Sequence, residues 1–198
     1  GPDNGPPMEA IGQAIYATAR DIFPLCRSIT GNGVRETLAH LGRHAPIETQ
    51  ETPSGAPVLD WTVPKEWNIA GAYIKNANGE RVLDFRAHNL HVLQYSAPVR
   101  TRLPLAGLKP KIFTLPDQPD LIPYRTSYWS EQWGFCMRHR DREALPDGEY
   151  EICIDSTLSD GALTYGECVL PGEIEDEILL HAHICHPSLA NDNSSGLA

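Results

Sequence analysis

The chain has 198 residues, a formal net charge of −10, 41% hydrophobic and 21% charged residues, which describes an ordinary globular composition rather than a disordered one. The acidic balance argues against binding nucleic acid through this chain, because phosphate contacts need a basic face. No apolar run approaches the ~20 residues of a membrane span, and the first residues hold no charged and apolar pair of regions like those of an export signal. Gly1-Pro2 reads as a cleavage scar.

In chain order, Ile11, Ile15, Ala19 and Ile22 recur at helical spacing and predict a helix over 9–23, stopped by Pro24. After the Gly31-Asn32-Gly33 turn, Asn32 is expected to cap a second helix. Its inner face carries Val34, Leu38 and Leu41, and Gly42 ends it. Strands are expected over 47–51, 58–61, 72–75 and 81–85, the last two joined by Asn78-Gly79, a strong hairpin dipeptide. A further strand is expected at 91–95. The proline-rich stretch 98–123 reads as connector. Beyond Trp133, strands are expected at 134–138, 150–154, 162–170 and 177–185. Trp61, Trp67, Trp129 and Trp133 are read as core rather than as a binding face. The predicted organisation is helices and the start of an α/β core over 8–54, a small β-rich domain over 55–128, and the rest of the core over 129–198.

The chemistry-bearing cluster follows the last expected strand: His181, His183, His186, then Asp192 in an Asn/Ser/Gly-rich loop. In an extended segment His181 and His183 share a face. Pro187 breaks the strand and frees His186 to turn into a cleft. Imidazole with carboxylate is a ligand set for zinc or a similar divalent ion. His186 is the best placed, His183 follows, and His181 is read as structural. Three histidines near a strand end also suit a polar surface, so both readings stand on spacing alone. Cys185 is read as a packed thiol in preference to a nucleophile or a ligand, and Ser188, Ser194 and Ser195 lack a nucleophile-elbow context. The five cysteines are odd in number and contain no C-x-x-C pair, which favours a reduced, cytoplasmic compartment.

The segment ICHPSLANDNSSG (Ile184 to Gly196) resembles the DUF4910 family of aminopeptidase-like proteins, relatives of the M28-like zinc aminopeptidases of clan MH. LCRSITGNGVRETL (Leu25 to Leu38), DWTVPKEWNI (Asp60 to Ile69), TLPDQPD (Thr114 to Asp120), WGFC (Trp133 to Cys136) and DGALTYGE (Asp160 to Glu167) resemble that family in its order. The resemblance implies an α/β, phosphorylase/hydrolase-like zinc-aminopeptidase core, present as its N-terminal half, with an inserted DUF2172-type β domain. It implies one or two zinc ions bound through His186 and Asp192, with His183 as the other candidate. Relatives place an aspartate two residues after the first histidine; if that histidine is His183, Cys185 stands in the aspartate's place. The implied reaction is hydrolysis of a peptide or aminoacyl amide. Its general base and remaining ligands are expected beyond Ala198, so the chain alone is expected to be inactive. A homo-oligomer or the missing C-terminal half is the expected protein partner. The alternative is a non-catalytic binding or scaffold protein on the same fold.

Overall fold

The computed structural model describes residues 7–198, so the expected scar at Gly1-Pro2 lies outside the described residues. Helices α1 (Met8–Ile22) and α2 (Asn32–Leu41) lead into β1 (Glu48–Pro53) and the short hairpin β2 (Pro57–Val58) and β3 (Trp61–Thr62). Then follow β4 (Glu66–Lys75), β5 (Arg81–Asp84), β6 (Val99–Pro104), β7 (Ile112–Phe113) and β8 (Phe135–Cys136). The last strands are β9 (Glu149–Ser159) and β10 (Ala162–Glu167). The result is a mixed α/β chain built of small sheets.

Two compact units emerge: residues 1–51 with 164–198, and residues 52–163. The expected boundary at 128 therefore moves to 163. The reason is β9, which hydrogen-bonds on one side to β4 and on the other to β6. It is an inner strand of the sheet β5-β4-β9-β6 and cannot be separated from it.

One residue sets the phase of that sheet. Trp67 pairs with Leu158 and Ala72 with Ile154, so a register shift between Ile69 and Gly71 leaves Ala70 as an extra residue on β4. Without it, odd-numbered Trp67 and even-numbered Ala72 and Ile74 would face opposite sides. With it, all three are buried together with Tyr150, Ile152 and Ile154 of β9. On the other face Glu151 accepts from Tyr73 Oη at 2.9 Å and pairs with Lys75 and Arg102 at 3.6 and 3.3 Å.

Several expectations shift. The caps of α2 are made by backbone: Gly31, at φ 96°, precedes it and no side chain caps it. The run 58–61 is split by a turn in which Leu59 takes φ 51°. Residues 91–95 form only isolated bridges, Val92 to Phe135 and Gln94 to Thr126. The connector 98–123 contains β6. The strand at 177–185 does not form. Ile178, Leu179 and Leu180 are about nine-tenths exposed, and among the described residues no strand pairs with them. Only Trp67 of the four tryptophans is core; Trp129 is exposed and lies edge-on to Trp61 at 5.8 Å.

His91 makes the 52–163 unit sensitive to acid. Its Nδ1 donates to the Cys136 carbonyl at 2.8 Å. Burial first, with His88 and Arg138 adding repulsion, holds its pKa below the ordinary value against that hydrogen bond and Asp141. The folded state thus prefers the neutral ring. Its contribution is complete above the unfolded value of about 6.5 and is lost as pH falls through the depressed folded value. Urea midpoints are expected to drop between pH 7.5 and 5, and to drop less in His91→Asn, which retains an amide donor. An equal drop in both proteins would remove His91 as the cause.

Candidate metal centre

The cluster predicted from sequence lies in the unit formed by residues 1–51 and 164–198. After Pro187, which is buried, Ser188 adopts φ 53° in the left-handed region. The chain reverses there, and Asp192 comes back onto the two histidines that preceded it. Asp192 Oδ1 lies 2.5 Å from His183 Nε2. Its Oδ2 lies 3.4 Å from His186 Nε2. The imidazoles stand edge-to-face with centroids 5.8 Å apart. One carboxylate therefore spans both rings, as the three named residues require if they share an ion.

Cys185 joins them, which the sequence reading did not expect. Its Sγ is 3.5 Å from His186 Nε2, and the donor atoms of His183, Cys185 and His186 all lie within 4.8 Å of one another. Burial raises the thiol pKa, Asp192 raises it further, and Arg27 opposes both. The thiol is thus protonated at neutral pH, the wrong state for a free nucleophile. His186 is held below its ordinary value, chiefly by burial, with Asp192 pulling the other way. A neutral imidazole is the form that ligates metal. His181, read as structural, is exposed and lies outside the group.

The residue that sequence reasoning missed is Arg27. Its side chain is 1% exposed. Nε donates to the His186 carbonyl at 3.0 Å, and one terminal nitrogen donates to Ser194 Oγ at 3.0 Å. The other terminal nitrogen donates to the Ile22 carbonyl at the end of α1, where helical carbonyls lack intrahelical partners. One guanidinium thus holds the last turn of α1 and both ends of the loop that carries Asp192. Nothing in the spacing around Arg27 marks it; only the demand that a buried cation find acceptors would have pointed to it.

Two imidazoles, a carboxylate and an adjacent thiol form a donor set suited to zinc. The nitrogen and sulfur donors of His183, Cys185 and His186 lie within 4.8 Å of one another, and the Asp192 carboxylate reaches both rings, so the residues present fit the group that the resemblance implied.

Residues 66–157 match the family model described as a domain of unknown function, DUF2172. The DUF2172 match lies within the 52–163 unit, and His183, His186 and Asp192 lie outside it. A Clostridium acetobutylicum protein described as a candidate polysaccharide biosynthesis protein with aminopeptidase-like domain is 52% identical over 187 residues. That match covers 94% of this chain and 43% of the relative. A crystal structure of a candidate peptidase from Clostridium acetobutylicum superposes with a TM-score of 0.93 at 52% identity, over 95% of this chain and 44% of that one. The chain spans less than half the length of the relatives it matches.

Proposed function

We propose that this chain contributes His183, His186 and Asp192 to a divalent-metal centre of an aminopeptidase-like hydrolase, of the DUF4910 kind related to the clan MH zinc aminopeptidases. The observation that carries the reading is the Asp192 carboxylate set between two imidazoles, at 2.5 and 3.4 Å. The names of the relatives, one aminopeptidase-like and one peptidase, support the same class.

When bound, zinc (one ion or two) would polarise the scissile carbonyl and lower the pKa of a water. The chain's own residues prepare that site. Asp192 orients both rings, and burial keeps His186 neutral. Imidazole and carboxylate ligate an ion in their deprotonated forms, so protons and metal compete for them. Affinity for the ion therefore rises with pH. The substrate class is a peptide or an aminoacyl amide, and the general base is assigned to the part of the relatives' length that this chain does not span. The odd number of cysteines, with no C-x-x-C pair, supports a reducing, cytoplasmic compartment. Among the described residues no helix is long and apolar enough to cross a membrane.

Aminoacyl anilide hydrolysis by the Clostridium acetobutylicum relative and by this chain, assayed side by side, tests the reading. The relative is expected to hydrolyse at least one anilide and to lose that activity to a zinc chelator. This chain alone is expected to bind zinc without turnover. No hydrolysis by the relative, with or without added zinc, would leave a non-catalytic binding protein on a peptidase fold.

A further inference from the structure

A second histidine pair lies in the 52–163 unit, outside the proposed metal centre. A 3-10 turn, Asn89–His91, starts from His88. Its repeat of three brings residues i and i+3 to one side, and the rings of His88 and His91 stand edge-to-face with centroids 6.2 Å apart. Each ring commits its Nδ1 to the backbone, but in the opposite sense. Leu90 N–H donates to His88 Nδ1 at 3.1 Å. That nitrogen carries a lone pair, so in the neutral ring the proton is on Nε2. His91 Nδ1 faces the Cys136 carbonyl at 2.8 Å. A carbonyl only accepts, so here Nδ1 holds the proton and Nε2 the lone pair. Burial lowers both pKa values, which keeps the rings neutral and the two tautomers distinct. The pair offers one N–H donor and one nitrogen acceptor.

Both rings line a cavity of about 550 Å³, with aliphatic walls at Val82, Leu90, Ile122 and Met137. Arg138, Asp120 and Asp141 also line it. Arg138 Nε donates to Asp141 at 2.6 Å, and Asp120 is paired with Arg140 at 2.9 Å. One guanidinium against two carboxylates gives the lining an acidic balance, which disfavours an anion.

We propose that this cavity binds a neutral saccharide of one or two rings. A vicinal diol meets the histidines directly: one hydroxyl accepts from His88 Nε2–H and its neighbour donates to His91 Nε2. The aliphatic walls receive the C–H face of the ring, and the Arg138–Asp141 pair presents further donors and acceptors to the remaining hydroxyls. A primary amide could satisfy the same two nitrogens, but it fills only a small part of the volume. Ligand pockets bury most of their ligand's surface, within about 300–1,000 Å³. The proposal is independent of the metal centre and places a ligand in the DUF2172 match.

The test is calorimetric titration of the intact chain with methyl glycosides of glucose, galactose, mannose and N-acetylglucosamine, and with maltose and cellobiose. Two variants remove only the cavity nitrogens. His88→Asn keeps an acceptor for the Leu90 N–H, and His91→Asn keeps a donor for the Cys136 carbonyl. At least one saccharide is expected to bind, each variant is expected to weaken it about tenfold or more, and acetamide is expected not to compete. Imidazole 15N shifts of His88 and His91 in the unsubstituted protein give a second readout and are expected to move on binding. No binding by any of the six saccharides, binding that survives both substitutions, competition by acetamide, or unmoved imidazole shifts would each overturn it.

Discussion

Arg27→Met is expected to lower the stability of the chain by about 3 kcal/mol or more, and to weaken zinc binding by about tenfold to a hundredfold. Methionine fills much of the same space but donates nothing. The carbonyls of Ile22 and His186 and the hydroxyl of Ser194 would lose the donor they share. Hydrogen bonds to a charged group are worth about 1.5–3 kcal/mol each, and buried acceptors left without a donor add to the loss. The effect on metal follows from what those acceptors are. His186 and Ser194 bracket Asp192, and supporting contacts of this kind typically tune affinity by about tenfold to a hundredfold. Arg27→Lys separates fit from charge: it keeps the cation but cannot reach three acceptors from a planar fork. Urea denaturation and zinc titration of both variants check the expectation. A lysine variant with unchanged zinc affinity would mean that charge alone, not the three-point fit, holds the loop.

Gly33→Ala is expected to be the second most damaging single change, at about 2 kcal/mol net. Gly33 lies in the first turn of α2, where alanine would ordinarily gain about 1 kcal/mol in helix propensity. The tertiary contact reverses that sign. An added Cβ would meet the Cys26 carbonyl oxygen, lie 2.6 Å from its carbon and 3.0 Å from Arg27 N. These are backbone atoms and cannot rotate away, and overpacking of this kind costs about 1–3 kcal/mol or more. The displaced segment contains Arg27, so the damage should extend to the metal loop. Thermal melts and zinc titration of the variant test this. A neutral or stabilising effect would show that the 25–28 segment shifts freely and that Arg27 is not fixed by α2.

What was legible in the sequence was local. The α1 and α2 periodicities, the Asn78-Gly79 hairpin with Gly79 at φ 80°, and the strands at β9 and β10 follow from short-range pattern. Strand β6 was hidden because Pro98 precedes it and Pro104 is its last residue, and both argue against a ladder. At the edge of β5-β4-β9-β6 a proline is tolerated, since one side of the strand needs no donor. The segment at 177–185 erred the other way. Its apolar run has strand propensity, but a strand exists only with a neighbour, and none pairs with Ile178, Leu179 and Leu180 among the described residues. The extra residue Ala70, which rephases β4, leaves no trace in composition.

The candidate metal centre shows the same division. His183, His186 and Asp192 were legible because the chemistry of their side chains and the turn-forming loop between them point to one purpose. Their contact with Cys185 was not, since a thiol on a strand-like run is more often packed than convergent. Arg27 lies more than 150 residues away in sequence from the loop it holds, and long-range capture of a buried cation has no local signature.

The most direct measurement is the zinc content of this chain after incubation with the ion and dialysis, compared with the His186→Ala, Asp192→Ala double variant. Stoichiometric zinc in the first and none in the second is the predicted result, with affinity falling as pH is lowered because protons compete for the imidazoles and the carboxylate. No zinc retained by the unsubstituted chain, or equal retention by both proteins, would contradict a metal centre at His183, His186 and Asp192.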